Sequence, residues 1–118
     1  MKYTLLIYEN KAGFALHTDP EKQRDYWAAW PMYTKALQEA GIMAGGAGLE
    51  LPGTATTVHL QNGKCHVQDG PYSDTKEQLG GYYIIDVPNL EAALEWAARV
   101  PAAPGSYVEV RRHLLVPT

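Results

Sequence analysis

The chain has a lone cysteine, no long apolar run and no basic stretch, and each absence excludes a class of protein. Cys65 stands alone among 118 residues, so no intramolecular disulfide can form and nothing points to an oxidising compartment. No segment approaches the apolar length that spans a bilayer. The opening Met1-Lys2-Tyr3-Thr4-Leu5-Leu6-Ile7-Tyr8 resembles a secretory h-region at first sight. It has no small-residue cleavage site and turns polar at Glu9-Asn10-Lys11, so it reads as a first strand. Bases are scattered, and Arg111-Arg112-His113 is too short a cluster for the electrostatic footprint of a nucleic-acid binder. The expectation is a cytoplasmic protein with neither nucleic acid nor membrane as partner. What is present is ordinary globular material: 46% apolar, 19% charged, net charge -3. A single domain over 1–118 is expected, large enough to bury its own core.

Turn and cap residues divide the chain. Tyr3 to Tyr8 is rich in β-formers and is bounded by Asn10 and Gly13. Asp19-Pro20-Glu21 is suited to open a helix, and Tyr26, Trp30, Tyr33, Leu37 and Ala40 follow at helical spacing until Gly41. Pro31 lies inside that run and predicts a kink or break near Trp27 to Trp30. Ile42 to Leu51 reads as a Gly-rich strand. Its glycines precede no helix and no Lys-Ser/Thr pair, so they make neither a dinucleotide fingerprint nor a phosphate loop.

Asn62-Gly63 is a two-residue hairpin signal that would set Gln61 opposite Lys64, Leu60 opposite Cys65, His59 opposite His66 and Val58 opposite Val67. Tyr82 to Val87 reads as a buried strand. Leu90 to Val100 reads as a second helix ended by Pro101, and Ser106 to Leu114 as the last strand. The order predicts an α+β fold, a ferredoxin-like βαββαβ plan with an inserted β-hairpin. Strand one is apolar on both sides, as is Tyr82 to Ile85, whereas two helices cover one face of a sheet. A second copy covering the other face, as a symmetric homodimer, is the economical solution.

The segment Asp69-Gly70-Pro71-Tyr72-Ser73-Asp74-Thr75-Lys76-Glu77-Gln78-Leu79-Gly80-Gly81 concentrates chemistry-bearing side chains in a loop, where function tends to sit. Asp69 and the Tyr72 hydroxyl could face a cleft, although Asp69 has an ordinary role as an Asx turn that bonds backbone amides. Asp74, Lys76 and Glu77 could form an acid-base or gripping set, or a solvated ion pair. On the last strand Tyr107, Glu109 and Arg111 alternate with Val108 and Val110, so Arg111 is either an anion-binding group or a bridge to a loop carboxylate. His17, in the loop before the first long helix, is either a general base that could reach a cleft or an ordinary loop residue. Trp27, Trp30 and Tyr33 are either core or an aromatic pocket wall. His59 and His66 lack further ligands, so no metal site is expected. Cys65, beside Leu60 on the apolar hairpin face, reads as inert core.

Lys2-Tyr3 with Leu5-Leu6-Ile7-Tyr8, Ala55-Thr56-Thr57-Val58, Asp69-Gly70-Pro71-Tyr72, Thr75 to Gly81, Ile84-Ile85-Asp86-Val87, Ala93 to Ala98 and Val108 to Arg111 together carry a resemblance. The chain resembles the DGPF-domain branch of the YCII-related proteins over nearly its whole length. The resemblance implies a ferredoxin-like subunit paired into a dimeric α/β barrel, similar to proteins often encoded beside extracytoplasmic-function sigma factors. Tyr72 stands where the motif's name has Phe. Trp30 stands where enzyme-like members carry a first-helix His, proposed as half of a His-Asp pair, so that pair does not transfer. Two functions follow. In one, a cleft between the sheet and the first long helix, bounded by Tyr72, Asp74, Lys76, Glu77 and Arg111, binds a small polar molecule and acts on it by acid-base chemistry. In the other, the chain is a non-catalytic regulatory or interaction module. Neither requires a cofactor.

Overall fold

A computed structural model describes residues 1–116, so the last two positions of the domain expected over 1–118 lie outside it. In chain order the elements are β1 (Lys2–Glu9), α1 (Lys11–Ala15), α2 (Gln23–Glu39), β2 (Met43–Gly48), β3 (Thr56–Gln61), β4 (Lys64–Asp69), β5 (Gln78–Asp86), α3 (Leu90–Ala97) and β6 (Tyr107–Arg112). A 3-10 turn at Pro52–Thr54 precedes β3. One sheet runs β2-β5-β1-β6 with every neighbouring pair antiparallel, which is the ferredoxin-like order. β3 and β4 form a separate two-stranded sheet.

Alternation along β1 sorts its side chains. Tyr3, Leu5, Ile7 and Glu9 are buried under the helices, while Thr4, Leu6 and Tyr8 are half-buried on the other face. The core joins these β1 residues to Tyr83, Ile85 and Val87, to Tyr33 and Leu37 of α2, and to Ala93 of α3. Val108 and Val110 pack against that core, as the valine alternation of the last strand requires. Asn89 caps α3, its Oδ1 accepting from the Ala92 amide at 2.9 Å.

Several expectations need correction. α1 was not anticipated: it is five residues long, too short for a periodic signal, and Asn10 caps it by accepting from the Gly13 amide at 2.9 Å. The long helix begins at Gln23 instead of Asp19, because Asp19 is spent on the turn before it, accepting from the amides of Glu21 at 2.8 Å and Lys22 at 3.2 Å. α2 continues through Pro31 without a break. Pro31 is on its exposed side, where water can bond the carbonyl that proline leaves unpaired.

The hairpin has the expected register, Gln61 opposite Lys64 through Val58 opposite Val67. Asn62 and Gly63 both have positive φ, 48° and 75°, as a primed turn demands. Its apolar face, however, is not core. Leu60 is 75% exposed, Val58 and Val67 are exposed with it, and Cys65 is an exposed free thiol. The two-stranded sheet does not fold back onto the body of the same chain. Among the described residues no helix is long and apolar enough to cross a membrane.

Candidate functional site

The end of β1 carries a buried carboxylate. Strand alternation points Glu9 to the helix side, where it is only 2% exposed. Space for it comes from a β-bulge in β5: Ile7 pairs with Gly81 and Tyr8 with Leu79, leaving Gly80 as the extra residue. A Cβ at Gly80 would stand 2.9 Å from Glu9 Oε1, and one at Gly13 would stand 3.1 Å from Oε2. The carboxylate therefore rests between glycines from α1 and β5. Gly81 adds a close approach of β2, since a Cβ there would lie 3.0 Å from the Ala47 carbonyl oxygen.

A buried carboxylate needs partners, and side chains from two further segments supply them. The Tyr26 hydroxyl, from α2, lies 2.9 Å and 2.8 Å from the two carboxylate oxygens and donates to them. His17 Nε2, from the segment after α1, lies 3.2 Å from Glu9 Oε1 and 3.0 Å from the Tyr26 oxygen. A carboxylate oxygen in the accepting role is matched by an N–H at Nε2. Aromatic rings fix the imidazole: Phe14, Tyr26 and Trp27 have centroids 5.4, 4.9 and 4.8 Å from it. Trp27 also donates its indole N–H to the His17 carbonyl at 3.0 Å. Burial, then the hydrogen bond to Glu9 and that group's charge, push the Tyr26 pKa far above the usual phenol range. Tyr26 is a neutral donor throughout the physiological range.

These groups line one wall of a cleft of about 690 Å³ between α2 and the β2–β5 side of the sheet. Trp27, Trp30 and Tyr83 supply aromatic surface, Met43, Leu49 and Leu51 aliphatic surface. Tyr83 is held by a 2.7 Å hydrogen bond between its hydroxyl and Thr34 Oγ1. The Trp30 indole nitrogen is buried and has no hydrogen-bond partner, although it is near enough to the Tyr26 hydroxyl to lower that group's pKa.

His17 and Trp30 are thus brought together, as two of the sequence candidates, while the others are dispersed. Tyr72 and Glu77 border a second hollow of about 580 Å³, with Tyr8 and Leu79. Residues Leu49, Glu50, Leu51 and Thr54 border both spaces. Asp69, Asp74 and Lys76 are exposed and line neither. Asp69 makes no side-chain hydrogen bond among the described residues, so the expected Asx turn does not form. The Gly70 amide bonds the Ala55 carbonyl at 2.7 Å instead. Gln78 organises the loop, donating to the carbonyls of Ser73 at 2.6 Å and Thr75 at 2.9 Å.

The cleft expected between sheet and helix exists, but not with Tyr72, Asp74, Lys76, Glu77 and Arg111 as its boundary. Arg111 lies opposite Thr4 on the far sheet face and is exposed, and it joins no ion pair among the described residues. The expected bridge to a loop carboxylate is absent because loop and residue sit apart. His59 and His66 face each other on the exposed hairpin, centroids 6.3 Å apart. Among the described residues no group of His, Cys, Asp or Glu gathers as metal ligands would.

A profile of the YCII-related domain matches residues 1–113. The chain belongs to the YCII-related family. Another protein similar to it is the uncharacterized protein R00369 of Rhizobium meliloti (strain 1021), 35% identical over 117 residues, which covers 94% of this chain and 90% of that protein. This YCII-related chain pairs a carboxylate with an imidazole drawn from the end of β1 and the segment after α1. Glu9 was overlooked because a charged residue followed by Asn10-Lys11 reads as a strand end turning to solvent. Parity with Ile7, Leu5 and Tyr3 was the signal that could have found it. Tyr26 was taken only as a periodic core position, and its hydroxyl was not considered.

Proposed function

We propose that this protein binds a small molecule in the cleft between α2 and the β2–β5 side of the sheet, and that Glu9, His17 and Tyr26 act on it by acid-base chemistry. The observation that carries the reading is a buried carboxylate, bonded to an imidazole and a phenol, on the wall of an otherwise apolar cavity. Glu9 orients the His17 ring through its contact with Nε2. Nδ1 of His17, which has no protein partner among the described residues, exchanges a proton with the bound molecule. Tyr26 stays protonated and holds the carboxylate in place. The aromatic walls exclude water from the exchange. Tyr72 and Glu77, across the segment 49–54, contribute to a neighbouring subsite. The chain works as a cytoplasmic homodimer of the DGPF branch, its second copy covering the half-buried far face of the sheet.

A thermal-shift screen against metabolites and metal ions tests this, since a ligand that prefers the folded state raises the melting temperature. A hit should be lost in Trp30→Phe and weakened in His17→Asn, while Arg111→Ala leaves it unchanged. A hit insensitive to both cleft variants but lost in Arg111→Ala or Glu77→Gln would move the site away from the cleft. The second reading, a regulatory or interaction module such as a sigma-factor neighbour would provide, draws on the open apolar hairpin face around Leu60. It gains if the screen yields no hit and Leu60→Asp abolishes capture of a protein partner.

A further inference from the structure

Charge is distributed unevenly around the cleft. Its lining includes the carboxylates of Glu9 and Glu50 and no lysine or arginine. Glu9 is already engaged by His17 and Tyr26, whereas Glu50 joins no ion pair among the described residues. An anion entering here would meet two carboxylates with no guanidinium or ammonium group to receive it. A cation meets the opposite situation, because indole and phenol ring faces attract positive charge. Trp27, Trp30 and Tyr83 supply those faces.

We propose that the cleft takes a small organic cation, an amine or quaternary ammonium group on a compact apolar body, and rejects anions. The proposal rests on the cleft being the binding site and adds the chemical class of what it binds. Glu50, at the boundary between the two hollows, balances the positive charge at the mouth. The apolar body lies against Met43, Leu49 and Leu51. The buried Trp30 N–H, lacking a partner, asks for an acceptor on that body, a hydroxyl or carbonyl oxygen. A ligand with both features satisfies, among the described residues, the orphaned Trp30 donor and the Glu50 carboxylate together. An anion could satisfy only the donor.

The test is calorimetric titration of the full chain with phenylalaninol, phenylethylamine, phenylpropanol and hydrocinnamate at one ionic strength. These probes share a phenyl body and differ in charge and in the acceptor. The two cations should bind roughly tenfold more tightly than the neutral alcohol, which is the scale of a desolvated ring–cation contact with a nearby carboxylate. The acid should bind weakest. Glu50→Gln should lower cation affinity several-fold and leave the alcohol unaffected, and because Glu50 is exposed that variant folds. Trp30→Phe should remove the advantage of phenylalaninol over phenylethylamine. Hydrocinnamate binding as tightly as the amines would overturn the ligand class, while loss of its binding in Trp30→Phe would leave the cleft reading standing. Cation binding that ignores Glu50→Gln and Trp30→Phe alike would overturn both. Failure of all four probes to bind would overturn the cation proposal, and the metabolite screen would then judge the cleft independently.

Discussion

Two tyrosines are set apart from the rest by their surroundings. Tyr26 donates to Glu9 beneath α2, and Tyr33 donates to the Trp96 carbonyl at 2.8 Å between α2 and α3. Burial raises both pKa values well above the normal phenol range, with Glu9 adding to the effect on Tyr26 and Tyr83 to that on Tyr33. A raised folded value means the folded state keeps its proton while the unfolded chain gives it up. The stability these groups contribute is whole below about pH 10 and is lost as pH climbs towards their folded values. Titration of phenolate absorbance should find two of the eight tyrosines ionising late, coincident with alkaline unfolding, and Tyr26→Phe should remove one of them. His17 and Trp30 could be picked from sequence because a His before a helix and an indole at helical spacing are conspicuous. For Glu9 strand parity signals burial but not a site, since its partners come from segments 8 and 17 residues further along the chain.

Elements were readable in proportion to how locally their causes act. The register of the β3–β4 hairpin was predictable to the residue because Asn62-Gly63 alone fixes its turn. The start of α2 was misplaced because Asp19 has local uses other than capping that helix, and the sequence does not rank them. α3 offers a cleaner case. Asn89 satisfies the Ala92 amide, and in a helix of eight residues one cap is a large share of its end stabilisation. Asn89→Ala should cost about 1 kcal/mol in urea unfolding, and Asn89→Ser should restore most of it.

The whole chain leaves apolar surface uncovered in two places. On the far sheet face Leu6, Tyr8, Tyr82 and Ile84 are half-buried, and Tyr107 is 63% exposed beside them. On the hairpin Leu60 and its neighbours are open. The sequence signalled the first through a strand apolar on both sides. It misled on the second, because an apolar face implies a cover without saying that the same chain provides it. In the proposed homodimer a second copy covers the sheet face. Sedimentation should give twice the 13.0 kDa chain mass, and Tyr107→Asp should reduce it to the chain mass with unchanged far-ultraviolet dichroism. If the hairpin is covered in the same assembly, native Cys65 should react with thiol reagents more slowly at high protein concentration than at low.

The bulge in β5 sets regularity against chemistry at a single position. Ile7 already pairs with Gly81 and Tyr8 with Leu79, so excising Gly80 would close the ladder into an uninterrupted one with the same partners. A sheet rebuilt for an unbroken β1 ladder would discard this glycine first, although on the β2 side its carbonyl accepts from the Leu49 amide at 3.0 Å. The same excision would take away the surface against which the Glu9 carboxylate rests. On the proposed reading of the cleft, straightening this ladder and losing its acid-base wall would be one and the same edit.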